Sequence, residues 1–488
     1  MTFPNVMAFA PEGVLLLGSL VLFVISLGDS RTILARRVSL ATAIAATAAA
    51  LLAFGQEGTL FDGAYRVDLF SQLLKLVLCA GFALIVLLGD DLPDIDANLR
   101  GEYHLLVALS VSGLVMLVSC IELLTLVVAL ELSAFPLYFL VAMRRERPGQ
   151  RAQMEAAIKY IMFGIAANGV MLFGLSYLFG LTGTTSLPEM LTRLQPLMGT
   201  PLAIAGLSLT FCGLFYKLAI FPFHFWTPDV YEGASNETAG LVASLPKVAM
   251  VAVLVRFTAM AGPESQVVAL LLAVLAAASM FYGNFIALVQ TDFKRLLGFS
   301  GIAHAGYALI GFVSLDQAGF TAALYYIVGY LVMVLGCFVV ICRVSHDGFN
   351  LSVTQLAGLH RRSPLLAVTL IVCVFGLAGI PPFAGFMGKL TLLKAALAKG
   401  YLWLVVVAVI NTAIAIYYYL GLIRETCFQE SVDQPALRID WPTRFLCVVL
   451  VAATLALGVF PSRFLDTASS SLTAVLNPAT PSGVSGAP

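Results

Sequence analysis

Six cations and one acid lie inside stretches too apolar to be loops. They are Lys75, Lys159, Lys217, Lys247, Arg256 and Lys389, with Glu131 at the middle of ALELSAFPLYFL. A charge at the centre of a bilayer costs about 2.5–3.5 kcal/mol even on insertion scales. Four lysines and a glutamate held there unpaired would therefore cost about 10 kcal/mol or more. Such residues persist where they pair or line a hydrated path, so they read as an ion or proton route rather than as isolated structural pairs. Lysine suits that chemistry as a type. Desolvation weakens an ammonium's hold on its proton and a nearby carboxylate restores it. A lysine that gains and loses contact with Glu131 can thus switch between holding and releasing a proton, with no cofactor. Lys75 and Arg256, close to predicted span ends, read instead as snorkelling side chains.

Two broken helices flank these lysines. CGLFYKLAIFPFHFWTPDVYEGAS places Pro222 five residues after Lys217. FGLAGIPPFAGFMGKLTLLKAA places Pro381 and Pro382 seven to eight residues before Lys389. Proline removes a backbone donor and clashes with the preceding turn, and the freed carbonyls need partners, so broken membrane helices line water or ion sites. His304, in RLLGFSGIAHAGYALIG, falls mid-span; a neutral imidazole there is either a relay between lysines or a hydrogen-bonded core histidine. His224 abuts the first break, where a structural role is at least as natural. His104, His346 and His360 fall in loops or at helix ends, and no pair has metal-ligand spacing.

The elements that must position these groups follow from composition. The 488 residues are 60% hydrophobic and only 11% charged, where soluble domains carry about a quarter charged residues. Roughly 290 apolar residues allow about 14 membrane spans. Apolar runs place them near 11–28, 37–55, 69–89, 103–120, 122–143, 156–180, 201–225, 238–261, 265–289, 295–314, 318–342, 364–391, 401–423 and 442–461. The expected fold is an all-α polytopic membrane protein. Aligning Pro222-Phe223 with Pro382-Phe383, about 160 residues apart, gives two five-helix units. Five is odd, so the second unit is inverted, as in secondary transporters. The plan is spans 1–3 in 1–102, a first repeat in 103–261, a second in 262–423, and a last span with a short tail in 424–488.

Loop cations set the orientation. Arg31, Arg36, Arg37, Arg144, Arg145, Arg147, Arg151, Lys294, Arg295, Arg343, Arg361, Arg362, Arg424, Arg438 and Arg444 fall on one side. The positive-inside rule makes that side cytoplasmic and both termini periplasmic. Asp90, Asp91, Asp94 and Asp96 lie on the same side, but acids count little in the rule. Lys+Arg 27 against Asp+Glu 27 leaves no basic face for nucleic acid. The 8 cysteines form no CxxC pair, and no dinucleotide fingerprint or Walker sequence is present. Met1 to Gly13 carries no basic start for a cleaved signal peptide.

These motifs resemble the antiporter-like membrane subunits of respiratory complex I, most closely the N-type. The resemblance rests on ALELSAFPLYFL, EAAIKYIMFG, NGVMLFGLSYLFGLTGTTSL, FYKLAIFPFHFWTPDVYEGAS, SLPKVAM, DFKRLLGFSGIAHAGY and GLAGIPPFAGFMGKL, across most of 100–425. It implies that Glu131 pairs with Lys217, that Lys247 passes protons toward the second half-channel, and that Lys389 stands at the exit. Lys159 matches the family's span-6 lysine. A lysine at position 389 fits the N-type or L-type subunit rather than the M-type. The absence of a long C-terminal lateral helix favours the N-type. The resemblance further implies a bacterial inner membrane and, as partners, a neighbouring M-type subunit and small membrane subunits. Flavin (FMN), iron–sulfur clusters and quinone would belong to other subunits, with no cofactor in this chain. A subunit of a Mrp-type cation/proton antiporter is the alternative reading, and a spacer that assembles the complex without moving protons is a third.

Overall fold

The computed structural model describes residues 7–28, 32–90, 92–146, 152–262, 265–429 and 436–476. Arg31, Asp91, Arg147 and Arg151, which entered the topology argument, lie outside the described residues, as does the tail after 476.

Helices dominate. The first six are α1 (Ala10–Ser26), α2 (Thr32–Leu52), α3 (Leu69–Leu88), α4 (Arg100–Leu117), α5 (Leu123–Ala142) and α6 (Ala152–Thr182). Then come the short α7 (Leu187–Leu194), the half-helices α8 (Pro201–Leu218) and α9 (Trp226–Gly233), and α10 (Asn236–Ala259). The second half holds α11 (Gln266–Ala287), α12 (Phe293–Val313), α13 (Gln317–Val344), the half-helices α14 (Pro364–Ala378) and α15 (Ala384–Ala398), and α16 (Leu402–Phe428). The chain closes with α17 (Trp441–Val459) and α18 (Pro461–Leu476). Each predicted span overlaps a helix or a pair of half-helices. Eleven helices among the described residues are by themselves long and apolar enough to cross a membrane.

Caps explain where helices begin. Asp68 accepts from Ser71 N at 2.8 Å, Asp292 from Arg295 N at 2.8 Å and Asp316 from Gly319 N at 3.0 Å. Each satisfies one of the amides that a helix start leaves unpaired. The centre of the bundle is α10, α12 and α13, buried along nearly their whole length, while α1, α2 and α17 keep large apolar faces outward. Small residues let the central helices approach. A side chain at Gly283 of α11 would meet Phe299 O and Ala303 N of α12 at 2.6 Å.

Away from the candidate site, the structure departs from the sequence reading in four places. A hairpin, β1 (Gly58–Leu60) against β2 (Tyr65–Val67), interrupts the all-α pattern between α2 and α3. A second C-terminal helix, α18, follows the last span; its mixed polarity hid it from a hydropathy reading. Lys75 and Arg256 do not snorkel. Lys75 is 1% exposed, its Nζ 2.6 Å from Glu12 Oε1, and Tyr65 Oη donates to the same oxygen at 2.5 Å. Arg256 is buried, donates to Val118 O at 2.9 Å and covers the Phe70 ring. Both find partners far away in sequence, which a local reading cannot weigh. Lys294, a loop cation by its sequence position, is fully buried in α12.

The acidic loop that argued against the topology is charge-matched. Asp90 pairs with Arg36 and lies 3.8 Å from Arg343, Asp94 pairs with Arg144 at 2.5 Å, and Asp96 lies 3.6 Å from Arg145. Acids and cations therefore gather at one end of the bundle.

Candidate functional site

Both breaks are built alike. α8 ends at Leu218, and Ala219 turns left-handed at φ 62°. Ala219 N donates to Tyr216 O at 3.0 Å and Ile220 N to Phe215 O at 2.9 Å. α14 ends at Ala378, and Gly379 turns left-handed at φ 85°. Gly379 N donates to Phe375 O at 3.1 Å and Ile380 N to the same carbonyl at 3.0 Å. A left-handed residue and backward bonds of this kind are how helices end. Phe221–Pro222 and Pro381–Pro382 are both cis. At the first break Phe221 N finds Ser279 Oγ of α11 at 3.0 Å.

The two breaks satisfy their leftover carbonyls differently. At the first, the Trp226 indole N–H donates to Tyr216 O at 2.9 Å. At the second, Lys389 Nζ reaches back from α15 to Ala378 O at 3.0 Å and Leu377 O at 3.3 Å. A cation at a helix C-terminus also offsets the negative end of the helix dipole.

Lys247, His304 and Lys389 are brought together around a knot of tyrosines. Lys247 Nζ donates to Gly301 O and Tyr330 Oη, each at 3.3 Å, and lies 4.9 Å from the Tyr330 ring centre. The His304 ring lies 5.0 Å from that of Tyr330. His304 Nδ1 is 2.6 Å from Tyr326 Oη and Nε2 is 3.0 Å from Tyr419 Oη, which Ser300 Oγ also meets at 2.7 Å. Lys389 Nζ lies 4.5 Å from the Tyr307 ring centre, 6.2 Å further from His304 by ring centroids. All these groups are buried. A neutral imidazole with both nitrogens on hydroxyls must donate through one and accept through the other.

Glu131 and Lys217 sit on one side of the bundle, with Tyr138 beside both. Glu131 accepts a hydrogen bond from Asn168 Nδ2 of α6. Lys217 Nζ lies over the Tyr138 ring, 5.9 Å from its centre. No ion pair joins Glu131 to Lys217 among the described residues, so their expected pairing is indirect in this structure. Tyr138 packs edge-on against Tyr160 at 4.8 Å, Tyr160 stacks on Trp226 at 4.6 Å, and Tyr216 Oη donates to Tyr160 O at 2.6 Å. This aromatic stack fixes α8 and α9 around the lysine.

Lys159 stands apart. It lies in the third turn of α6, 37% exposed, paired with Glu155 at 2.6 Å and Asp229 at 2.7 Å. Asp229 also meets Arg295 at 2.9 Å, and Arg295 meets Glu232 at 2.6 Å. The TPDVYEGA string thus carries a charged rim rather than a mid-membrane site. His224 is buried against Phe221 and Tyr282.

Groups at the helix entrances have their own electrostatics. Burial pushes the Glu122 carboxyl up. Hydrogen bonds from the Thr125 and Leu124 backbone and the Thr185 side chain outweigh it and hold the group below its ordinary range. Glu122 caps α5, accepting from Thr125 N at 2.8 Å, and so seats the helix that carries Glu131. Burial raises the Asp292 carboxyl at the head of α12, against the pull of Lys294.

Sequence reasoning missed Asn168 as a partner, although a lone carboxamide in an apolar span signals one. It also missed the tyrosines, which look like ordinary core aromatics until they converge. Among the described residues, no three His, Cys, Asp or Glu side chains gather as metal ligands would.

Comparison with known proteins adds five findings. A family described as NADH:quinone oxidoreductase/Mrp antiporter, TM, matches residues 120–415. A protein of Opitutus terrae described as NADH-quinone oxidoreductase subunit N 2 is 59% identical over 469 residues, covering 96% of this chain and 98% of its own. One of Syntrophobacter fumaroxidans with the same description is 44% identical over 475 residues, covering 97% and 100%. Among solved structures, a chain of respiratory complex I from Thermus thermophilus with bound aureothin superposes with a TM-score of 0.80 at 32% identity, covering 94% of this chain and 99% of that one. A chain of the Mrp complex of a Dietzia species superposes at 0.88 with 21% identity, over 98% of both, which speaks to fold alone.

Proposed function

This chain belongs to the subunit N family of the NADH-quinone oxidoreductases, within the wider NADH:quinone oxidoreductase/Mrp antiporter group, and from that premise we propose how it moves protons. It is a proton-pumping, multi-pass membrane subunit of respiratory complex I, assembled with other complex I subunits. A Mrp-type role rests on likeness of fold only.

The proposed relay runs from Glu131 and Lys217 through Lys247 and His304 to Lys389. Electron transfer in partner subunits, where FMN, the iron–sulfur clusters and quinone bind, perturbs the Glu131 end. Lys217 then gains or loses a carboxylate's influence and hands its proton toward Lys247. Tyr330, His304 and Tyr307 span the gap from Lys247 to Lys389. Lys159 takes a supporting part, holding α9 through Asp229. We place the two five-helix units at 103–261 and 262–423, the cation-rich end in the cytoplasm of a bacterium, both termini in the periplasm, and an M-type subunit alongside.

One observation carries the reading: the buried file of Lys247, Tyr330, His304, Tyr307 and Lys389, with contacts of 3.3 to 6.2 Å between neighbours. Protons carried per NADH oxidised, measured in inverted membrane vesicles, test it. Lys217→Ala and Glu131→Ala complexes that assemble fully should lose proton uptake. Assembled variants with wild-type uptake would sink these roles.

A further inference from the structure

Ten residues before Lys247 on α10 stands a buried acid that the relay leaves unused. Glu237 lies in the first turn of the helix, is 3% exposed, and its Oε2 has no hydrogen-bond partner. Its carboxylate feels the charge of Lys294, which is wholly buried on α12 and donates to Ala234 O at 2.7 Å. Arg144 seals the same end. Its Nε binds Asp94 at 2.5 Å, its Nη1 Glu232 O at 2.9 Å and Gly233 O at 3.3 Å, and its Nη2 Gly348 O at 3.2 Å. Arg144 is therefore committed to backbone and Asp94, whereas Glu237 is not committed to anything through Oε2.

Two more buried oxygens at this end are poorly satisfied: Asn236 Oδ1 on the adjacent residue, and Tyr103 Oη, which feels the Glu237 charge. Burying such groups without full hydrogen bonding is unfavourable, so their gathering at one place asks for a reason. Tyr231 links this end to the relay. Its ring centre is 5.9 Å from Lys247 Nζ. Lys247 Nζ, Tyr330 Oη and Tyr231 Oη converge on Gly301, where an added methyl would lie 2.9, 3.0 and 3.8 Å from them. Only a residue without a side chain leaves that junction open.

We propose that Glu237 is the proton-loading group at the cation-rich end of the bundle, and that it supplies Lys247 by way of the Tyr231 hydroxyl. The inference rests on the relay reading of Lys247. Uptake forms an O–H bond on the Glu237 carboxylate and neutralises it beside Lys294. Release breaks that bond, and a proton forms a new N–H bond on neutral Lys247, leaving Glu237 ionised again. Ten helical residues span about 15 Å, too far for one hop, so the Tyr231 hydroxyl, with water, carries the middle. No electron changes hands in these steps.

The test uses the whole complex in inverted membrane vesicles, with proton uptake measured against NADH oxidation. Assembled Glu237→Gln should show at least a twofold lower uptake per NADH, and Glu237→Asp should restore it. Tyr231→Phe removes a hydroxyl whose one neighbouring side-chain hydroxyl is Tyr330. A structural role predicts a wild-type ratio for it, and the loading route predicts the same twofold loss. If Glu237→Gln does not assemble, Tyr231→Phe decides alone. Lys247→Met separates the two readings. Loss there with wild-type ratios in the Glu237 and Tyr231 variants overturns the loading route and leaves the relay standing. A wild-type ratio in Lys247→Met overturns both.

Discussion

Lys389 donates to the Ala378 carbonyl at 3.0 Å, so the side chain of one half-helix caps the end of the other. Leu377 O accepts from the same ammonium at 3.3 Å. Cap and relay are thus one group, and they can be separated. Lys389→Met strands two buried carbonyls and should cost about 1–3 kcal/mol of stability as well as proton uptake. Lys389→Arg keeps a cation for the carbonyls but does not give up its proton. It should assemble with near-normal heat resistance on native gels and still fail to pump. An Arg variant that pumps like wild type would show that Lys389 only caps.

Asn168 holds Glu131 in place. A hydrogen bond to a charged group is worth about 1.5–3 kcal/mol, so Asn168→Leu should slow uptake about 10-fold while leaving assembly intact. Asn168→Asp sets a second carboxylate against Glu131 and should be worse. Initial uptake rates of the two variants, side by side, check the order.

Glu12 and Lys75 form a pair 0% and 1% exposed that ties α1 to α3. Breaking such a pair from one side costs about 3–5 kcal/mol because it leaves a buried charge unpaired, whereas removing both charges leaves none. Lys75→Met should therefore lower the melting temperature of the purified complex, and Glu12→Gln with Lys75→Met should recover most of it. A double variant as weak as the single one would count against the pair.

Lys159 is half-exposed in its pairs with Glu155 and Asp229. Surface ion pairs contribute about 0–1 kcal/mol. Lys159→Ala should then assemble and pump within about fivefold of wild type, the factor that the upper end of that range allows. A complete loss of uptake in an assembled complex would return Lys159 to the relay.

Glu122 binds its proton less tightly when folded, so its contribution is present above its unfolded pKa. It is lost as the pH falls through the lower folded value. Acid melting curves of wild type and Glu122→Gln should converge at low pH and separate toward neutrality. Curves that stay parallel throughout would exclude the cap as their source.

The spans and both breaks were legible because hydropathy and proline act locally, and Lys217, Lys247 and Lys389 stood out as charges in apolar text. What escaped notice depends on distance along the chain. Glu12 finds Lys75 across 63 residues, and His304 meets Tyr419 across 115. Lys294 is the last residue of a predicted loop, one before the span expected at 295–314, so its burial depends on how α12 enters the bundle. Charge type told which groups mattered, but only tertiary packing told which of them touch.

The two end lysines do not rest in the same kind of hold. Lys217 leans on the face of a ring, whereas Lys389 is tied to two carbonyls of the half-helix before it. Freeing the first ammonium disturbs one soft contact, and freeing the second means parting two hydrogen bonds. A row of like groups with unlike thresholds at its ends has a built-in polarity, as a ratchet has, even before any voltage or redox change acts on it.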